Sequence, residues 1–397
     1  MKNIIDNLDD LKKFNKVLLL FSGGVDSTYA LLYCIQHSIN VIAFRGIDSV
    51  NQTPERIKFF LSKLGVKLVE VDYTNELLES FINTGILAGG YYQNRFPISS
   101  SYTRPLIAKL ATQVALNEEC ECIIHTSNFH QNSAARFNNA VMFFSPEISV
   151  AIPYIKCSTT REEKLKAIIE AGYEMEGNIH SIDQNIWCRV IENGDLDCVK
   201  NPVQEKHFSW TSKPNIILED SHISIGFKAG LPISINNEYL SKKEIIEKLN
   251  AVGSILQIGR FNGFEDTPLG PKNHEVREAP AAEIIYKAKS FLESAILTQD
   301  ELKLKSNLDY RWAELVVNGN WYTLEKNSID AALKILNEPL NGLVNIHLSN
   351  KSAFPESIDT PKALDFDSLE KEINDSKTGF SYAEYYHIKT IQNKIRF

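Results

Sequence analysis

The sequence predicts a doubly wound parallel α/β domain, then a domain of mixed α+β structure, then a C-terminal helix. Three observations lead to this prediction. Short apolar runs alternate with helical stretches through about residue 155, a glycine-rich turn follows the first long apolar run, and strands and longer helices mix less regularly afterwards. Strand–helix alternation of the first kind is typical of a parallel sheet covered by helices on both faces.

Five apolar runs in the first half of the chain predict the buried strands of this sheet. They lie at 17–21, 40–44, 66–72, 122–127 and 148–152. The segment "TPERIKFFLSKLG" predicts a helix with Thr53 as its N-cap, Pro54 at its first position and Gly65 just past its end. Further helices are predicted from "RPLIAKLATQVALNEE" and around 161–171.

The second half of the chain mixes short strands with longer helices. Strands are predicted from "HISIGFKAGLPISI" and "GLVNIHLSN", and helices from "KKEIIEKLNAV" and "APAAEIIYKAKSFLESAIL". The ending "TGFSYAEYYHIKTIQNKIRF" has helical spacing but no core of its own, so we expect it to dock on another subunit. We expect domains over 1–165 and 166–362, followed by a tail and helix over 363–397.

Composition narrows the class of protein. The 397 residues are 43% hydrophobic and 23% charged, as in ordinary globular proteins, and the net charge is −8. This charge disfavours a broad nucleic-acid footprint. Neither an apolar stretch of about 20 residues nor an apolar signal core is present, which predicts a cytoplasmic protein without a membrane partner. The six cysteines lack zinc-site spacing and are predicted to be buried or spectator thiols.

The segment "FSGGVDST" at 21–28 predicts a phosphate-binding loop. It is not a Walker A motif, because no lysine follows its last glycine. Gly23 and Gly24 allow the backbone to approach oxygens closely, and the amides that follow lie at the positive end of a helix. Asp26 can cap that helix or hold a magnesium ion. The alternative is an ordinary serine-capped turn, which two adjacent glycines, an acid and three hydroxyls disfavour.

The pattern S-G-G-x-D-S resembles the loop of the ATP-pyrophosphatase, or PP-loop, superfamily. In those enzymes the loop grips the β,γ-pyrophosphate of ATP, which is cut to AMP and pyrophosphate. A nucleophile then attacks the adenylated substrate. The resemblance implies ATP and Mg²⁺ as cofactors and a fold like that of the adenine nucleotide alpha hydrolases.

Further segments narrow the resemblance to one family. "FPISSSYTRPLIAK", "HTSNFHQNSAARF", "SPEISVAIPY", "SIDQNIWCR" and "RWAELVVNGNWYT" occur in the order of similar segments in argininosuccinate synthases. The family implies adenylation of the ureido oxygen of citrulline by ATP and displacement of AMP by the amine of aspartate. It also implies a homotetramer, with ATP bound by the first domain, substrates and subunit contacts in the second, and a subunit-embracing tail.

The resemblance carries residue roles onto this chain. Ser22 and Asp26 are the implied catalytic residues of the loop, and Asp26 is the possible magnesium ligand through ATP. The implied nucleotide contacts are Ser22, Gly23, Gly24, Asp26, Ser27, Thr28, Gly46 and His125. The implied citrulline contacts that keep the family's residue type are Ser101, Asn132, Arg136, Ser181 and Glu265. Without the resemblance, Arg136 would be assigned to a surface salt bridge and Glu265 to a solvated loop.

Other substrate positions depart from the family pattern. Phe96 and Arg277 stand where the family has tyrosines, and Val190 where it has a serine. Arg277 thereby adds a positive charge, which predicts an additional acidic group on the acceptor. Asn128 and Ser133 replace a threonine and an aspartate that meet the aspartate substrate. Losing a charged partner from a buried site typically costs about 2–5 kcal/mol in binding.

These departures leave three functions open. The first is an active ligase with altered specificity, in specialised biosynthesis. The second is a genuine argininosuccinate synthase of arginine biosynthesis. The third is a catalytically dead ATP-binding homologue, because the loop 126–133 carries Phe129, His130 and Gln131 where the family has glycines and a lysine. His130 is either a proton-transfer group or a polar loop residue. A tRNA-modifying role ranks last because the chain is acidic.

Overall fold

The computed structural model describes residues 4–127, 132–175, 180–212 and 220–365. The strands of the first half are, in chain order, β1 (Ile4–Ile5), β2 (Lys16–Leu20), β3 (Asn40–Ile47), β4 (Lys67–Asp72), β5 (Tyr91–Tyr92), β6 (Phe96–Pro97), β7 (Cys122–Ile124) and β8 (Ser149–Ala151). Six of them form a parallel sheet in the order β1-β8-β7-β2-β3-β4, and β5 and β6 form a short antiparallel pair. The predicted doubly wound sheet is confirmed.

The helices of this half are α1 (Val25–Gln36), α2 (Glu55–Lys63), α3 (Thr74–Glu76), α4 (Asn83–Leu87), α5 (Ser100–Asn117), α6 (Asn132–Phe144) and α7 (Arg161–Glu170). A π-helical stretch, Leu77–Ile82, joins α3 to α4. The predicted cap of α2 is wrong by one residue, because Pro54 is the N-cap and Thr53 precedes it. Pro54 has an extended ψ of 140°, so the helix begins only at the next residue.

Helices cover both faces of the parallel sheet. Val17 and Leu19 of β2 pack with α1, α2 and α7, whereas Leu18 between them packs with α5 and α6. Side chains alternate between the two faces of a strand, so a fully apolar strand fills both cores. The run "KVLLL" is therefore apolar at nearly every position because the strand is buried on both sides.

The strand order places one crevice at the carboxyl edge of the sheet. The chain runs from β2 outward to β3 and β4, then returns to the other side of β2 for β7 and β8. Open parallel sheets bind ligands where the order reverses in this way. The loops after β2 and β7, which start at Phe21 and His125, therefore meet at the expected ligand site.

The second half contains two antiparallel sheets and four longer helices among the described residues. Its strands are β9 (Ser181–Gln184), β10 (Arg189–Glu192), β11 (Ser221–Lys228), β12 (Leu231–Ile235), β13 (Glu238–Tyr239), β14 (Arg260–Asp266), β15 (Lys272–Glu278), β16 (Gly342–Ser349) and β17 (Ser352–Asp359). The sheet orders are β14-β15-β10-β9 and β13-β12-β11-β16-β17. The helices are α8 (Lys242–Ile255), α9 (Pro280–Ile296), α10 (Gln299–Val317) and α11 (Leu324–Asn337).

Helix α7 crosses the domain boundary expected at residue 165. It packs against α1, and Ile168 belongs to the same apolar core as the strands of the parallel sheet. The whole helix thus lies with the first domain in the structure. The predicted C-terminal helix lies outside the described residues. Among the helices of the described ranges, none is both long enough and apolar enough to cross a membrane.

Candidate active site

The loop after β2 has a backbone that only glycine suits at one position. Gly23 has a φ of +79°, in the left-handed region that L residues rarely adopt. A Cβ at this position would lie 2.5 Å from Ile57 and 2.9 Å from the hydroxyl of Tyr173. Gly23 is therefore fixed both by its own conformation and by the side chains packed beneath it.

Hydroxyl groups brace the loop from within. The Gly24 amide donates to Ser22 Oγ at 3.2 Å, Ser22 Oγ lies 2.9 Å from Ser27 Oγ, and Ser27 Oγ donates to the Gly24 carbonyl at 3.1 Å. This closed ring holds the turn into α1. The first helical hydrogen bond from α1 back to the loop joins the Thr28 amide to the Gly24 carbonyl, so the preceding amides are open to a ligand.

The loop residues fit an anionic ligand. Thr28 Oγ1 is buried and has no hydrogen-bond partner among the described residues. Buried hydroxyls are normally paired, so this one is suited to receive a ligand group. Together with the amides at the start of α1, it forms the kind of site that holds phosphate at a helix N-terminus.

Four side chains that sequence reasoning missed hold the loop from outside. The hydroxyl of Tyr173 donates to the Gly23 carbonyl at 3.2 Å, and that of Tyr154 donates to the Asp26 carbonyl at 2.7 Å. Lys164 Nζ lies 2.8 Å from Asp26 Oδ1. On the opposite side, Arg45 of β3 donates to the Phe21 and Ser22 carbonyls. No short motif marks these residues, which lie up to about 150 positions from the loop.

His125 lies at the end of β7, beside the loop after β2. It is buried, its Nε2 lies 2.8 Å from Asn138 Oδ1, and its Nδ1 has no partner among the described residues. Burial lowers the pKa of His125 to about 4. The ring is therefore neutral at pH 7, with Nε2–H donating to Asn138 and Nδ1 left as an acceptor.

The lowered pKa of His125 predicts acid sensitivity. The unfolded chain takes up a proton near pH 6.5 but the folded chain only near pH 4, so stability is retained above pH 6.5 and falls between these values. The expected loss is about 3 kcal/mol of unfolding free energy. Urea unfolding at pH 7 and pH 4 checks this: His125→Asn should lose less than wild type. Equal losses in wild type and His125→Asn would contradict the prediction.

Gly46 lies near the end of β3, opposite Val71 of β4. A Cβ there would lie 2.9 Å from the ring of Tyr73 and 3.1 Å from Ile107. The absent side chain at this position thus lets Tyr73 pack directly on the strand. Gly46 lies on β3, the strand that neighbours β2, directly after the Arg45 that donates to the phosphate loop.

One face of the sheet β14-β15-β10-β9 is polar and meets the first domain. Strand register places directly paired residues on the same face, and these are Phe261, Gly263, Glu265, Asn273, Glu275, Arg277, Val190, Glu192, Ser181 and Asp183. Arg104 of α5 contacts this face through Asp183 at 3.1 Å. Positions 181, 190, 265 and 277, which the family resemblance implies as substrate contacts, therefore lie on one face of this sheet.

Arg136 joins α6 to this polar face. Only 1% of the residue is exposed, and its Nη2 lies 3.0 Å from Glu265 Oε1. Its other donors reach Ser100 Oγ at 3.0 Å and the Val317 carbonyl at 2.8 Å. Asn132 donates to Glu265 Oε2 at 3.1 Å. Arg136 and Glu265 are thus neither a surface pair nor solvated, but a buried pair at the domain contact.

Arg277 is held by the protein itself. Its Nε lies 3.0 Å from Glu275 Oε2, its Nη2 also bonds Glu275, and its Nη1 donates to the Pro97 carbonyl at 3.1 Å. The guanidinium lies 4.2 Å from the ring centre of Phe96. The positive charge that the sequence added at position 277 is therefore balanced by Glu275, which stands two residues earlier on the same face.

The two carboxylates beside Arg277 differ in their protonation. Burial favours the neutral form of Glu265, but Arg136 and Arg277 outweigh it and lower its pKa. Burial raises the pKa of Glu275 to about 7, despite the opposing effect of Arg277. The nearby charges of Glu265 and Glu192 add to this rise. Glu275 therefore titrates near neutral pH inside the candidate substrate site.

The remaining predicted substrate residues occupy different environments. Ser101 is buried in α5, Ser133 is half-buried in the first turn of α6, and Ser181 is exposed at the start of β9. Val190 is buried in β10. Phe96 is buried against Gly263, whose Cβ would lie 2.8 Å from the ring. Asn128, with the rest of 128–131, lies outside the described residues.

A group of His180, Asp195 and His207 has metal-like proximity, with ligand atoms within 4.8 Å of one another. Its hydrogen bonds disfavour a metal. The Gln204 amide donates to His207 Nδ1 at 3.0 Å, so that nitrogen keeps its lone pair and the proton lies on Nε2. His207 Nε2 lies 3.3 Å from the Asp195 carboxylate, which also pairs with Lys206. The group is therefore a polar cluster in which Lys206 supplies the positive charge beside Asp195.

The fold and the loop define an α/β domain with a phosphate-binding loop, joined to a second domain by a buried polar contact. A sequence model described as the Arginosuccinate synthase N-terminal HUP domain matches residues 16–173, and the Arginosuccinate synthase C-terminal domain matches 180–383. The chain belongs to the argininosuccinate synthase family. Members of this family are ATP-dependent carbon–nitrogen ligases that form AMP and pyrophosphate.

Curated relatives match along most of the chain. It is 31% identical to the argininosuccinate synthase of Picrophilus torridus over 384 residues, which cover 95% of this chain and 97% of that protein. It is 30% identical to the argininosuccinate synthase of Methanocaldococcus jannaschii over 390 residues, which cover 96% of this chain and 98% of that protein. A solved NMN synthetase from Francisella tularensis covers 42% of this chain and 68% of its own, at 12% identity and a TM-score of 0.29, which is too low to support an assignment.

Proposed function

We propose that this ligase adenylates a ureido or related carbonyl oxygen with ATP, releases pyrophosphate, and lets an amine displace AMP. The observation that carries the proposal is the phosphate loop at the sheet's switch point, next to a buried polar face of the second domain. A ureido carbon is a poor electrophile, and adenylation gives it a good leaving group. Such a reaction requires positioning and charge stabilisation rather than a covalent protein intermediate.

The roles of the residues follow from their placement. The amides at the start of α1, with Ser22, Ser27 and Thr28, would hold the pyrophosphate, and Asp26 would hold Mg²⁺. Gly46 and His125 would border the rest of the nucleotide. Magnesium, when bound, supplies charge neutralisation on the phosphates. The buried pair of Arg136 and Glu265, with Asn132, would orient the acceptor.

We further propose that the part of the site that binds the acceptor, around residues 275 and 277, differs from that of the family. The segment "KNHEVREAP" stands where the family has K-S-R-G-I-Y-E-T-P, so Glu275 replaces a glycine and Arg277 a tyrosine. The two new side chains pair with each other, and Arg277 packs on Phe96, which also differs from the family. Because Glu275 and Glu265 both lie beside Arg277, protein carboxylates already meet its charge and the acceptor needs no additional acidic group. The pair instead fills space and changes which acceptor fits.

The alternative is argininosuccinate synthase itself, acting on citrulline and aspartate in arginine biosynthesis. Ser101, Asn132, Arg136 and Glu265 favour it because they keep the family's residue types, as does the identity of about 30% to curated relatives. We propose a cytoplasmic homotetramer in either case. Its expected parts are the ATP-binding domain, the substrate domain and the tail over 363–397, with the boundary between the two domains placed after α7 instead of at residue 165.

Acceptor-dependent pyrophosphate release separates these functions. The purified chain is assayed with ATP, Mg²⁺ and aspartate, first with citrulline and then with other ureido acids, amides and carboxylates. Altered specificity predicts faster release with another acceptor or amine than with citrulline and aspartate. Turnover of citrulline and aspartate at ordinary enzymatic rates would favour argininosuccinate synthase. Calorimetric ATP binding without release for any acceptor would indicate a catalytically dead homologue.

Reverting the pair at 275 and 277 is expected to restore family-like selectivity. The double change Glu275→Gly and Arg277→Tyr removes both charges together and leaves no unpaired partner. We expect the kcat/KM for citrulline to rise about tenfold relative to the acceptor preferred by wild type, the scale that one or two pocket contacts produce. The single change Arg277→Tyr is the control, since it leaves Glu275 buried without its arginine. If the ratio of kcat/KM for citrulline to kcat/KM for the other acceptor is unchanged in the double variant, residues 275 and 277 do not set acceptor selectivity.

A further inference from the structure

Lys164 touches the phosphate loop from a different part of the chain. It lies in α7, its side chain is 10% exposed, and its Nζ lies 2.8 Å from Asp26 Oδ1. The same ammonium lies 3.6 Å from the ring centre of Tyr154, whose hydroxyl donates to the Asp26 carbonyl. Asp26 is therefore held at its side chain by Lys164 and at its backbone carbonyl by Tyr154.

The start of α7 is itself fixed. Thr160 Oγ1 accepts the Glu163 amide at 3.2 Å, and the Thr160 amide donates to Glu163 Oε2 at 2.7 Å. This capping box immediately precedes Lys164 and sets where its side chain leaves the helix. Tyr173, three residues past the end of α7, holds the Gly23 carbonyl. The segment that carries Lys164 is thus a rigid support for the loop.

The charge of Lys164 has a use at this position. Asp26 lies in the first turn of α1, where a carboxylate stabilises the helix but opposes a phosphate bound to the same amides. An ammonium at 2.8 Å offsets that negative charge. The sequence over 126–133 contains neither lysine nor arginine. Arg45, which contacts the phosphate loop, donates to the Phe21 and Ser22 carbonyls and not to Asp26.

We propose that Lys164 is a positioning residue of the nucleotide site, which holds and neutralises Asp26 so that the loop accepts the polyphosphate of ATP. The proposal rests on the proposed function only in that the loop binds ATP. The proposal also predicts how magnesium changes the effect of Lys164. Because Lys164 and Mg²⁺ would compete for the Asp26 carboxylate, Lys164 should contribute most to ATP affinity when no Mg²⁺ is bound.

Calorimetric ATP binding by the full chain tests this, with excess Mg²⁺ and with EDTA. In EDTA, Lys164→Met is expected to weaken ATP binding about tenfold or more, the scale of one nearby charge, and Lys164→Arg to restore most of it. With Mg²⁺ the loss should shrink, because the metal then neutralises Asp26. Adding Asp26→Asn to Lys164→Met should recover binding in EDTA, since the uncompensated charge is removed.

Lys166→Met is the matched control. Lys166 lies on the same helix, its side chain is 79% exposed, and its Nζ lies 4.0 Å from Glu170 Oε1. The Lys166→Met variant should bind ATP as tightly as wild type. Thermal unfolding establishes that each variant is folded. Equal affinities of Lys164→Met and wild type in EDTA, or equal losses with and without Mg²⁺, would overturn the role of Lys164. Failure of wild type itself to bind ATP would instead overturn the proposed function.

Discussion

Replacing Gly23 by alanine is expected to lower ATP-dependent pyrophosphate release by about 10²–10³-fold, the scale seen when one preorganised donor is lost from a site. The added methyl group would lie 2.5 Å from Ile57 and 2.9 Å from the Tyr173 hydroxyl, so the loop must shift. A shift moves the amides at the start of α1 away from the phosphates. The measurement is kcat/KM for ATP at saturating acceptor, with calorimetric ATP affinity beside it.

Gly65 provides the control for backbone strain alone. Its φ is +68°, close to that of Gly23, but no described atom lies within 4 Å of the position that an added methyl group would take. Gly65→Ala therefore carries a similar conformational cost, about 1–3 kcal/mol, without a clash and far from the crevice. It should reduce stability and leave kcat/KM near that of wild type. Equal activity of the two variants would show that the loop geometry does not govern nucleotide use.

Replacing Arg136 by methionine is expected to lower the free energy of unfolding by about 3–5 kcal/mol, because the change leaves the Glu265 carboxylate buried without its closest cation. Hydrogen bonds to Ser100 Oγ and the Val317 carbonyl are lost with it. These bonds join α5, α6 and the helix that ends at Val317, so the loss should loosen the contact between the domains. Urea unfolding at pH 7 measures the change.

Arg311 is the matched control for this second prediction. Its side chain is half-exposed and pairs with Glu325 at 2.6 Å. Exposed pairs contribute about 0–1 kcal/mol, so Arg311→Met should alter stability little. A second variant, Arg136→Met with Glu265→Gln, should recover part of the loss because the buried charge is then removed. If Arg136→Met unfolds like Arg311→Met, the buried pair does not stabilise the domain contact.

Much of the fold could be predicted because its signals are local. The five apolar runs became strands of one parallel sheet, whose central strand β2 is buried on both faces and whose edge strand β4 is partly exposed. The turn "SGG" lies where a parallel strand must enter a helix. The cap of α2 was misplaced by one residue because Thr53 and Pro54 are both plausible starts, and only the observed backbone separates them. Boundaries of this kind depend on one or two dihedral angles.

The site could be predicted only in part. The loop residues form one short motif, whereas Tyr154, Lys164 and Tyr173 reach the loop through packing of α7 on α1, which leaves no short signal. The pairing of Glu275 with Arg277 did have a signal, since residues two apart on a strand share a face. Without that pairing the charge at 277 looks available to a substrate, and the structure corrects that interpretation.

The origin of the oxygen in AMP tests acceptor activation most directly. The acceptor with the fastest pyrophosphate release is labelled with oxygen-18 at its carbonyl or ureido oxygen, and AMP is analysed by mass spectrometry after one turnover. Direct attack of that oxygen on the α-phosphate predicts one oxygen-18 atom in each AMP. Unlabelled AMP alongside a coupled product, or pyrophosphate exchange with no acceptor present, would contradict the mechanism.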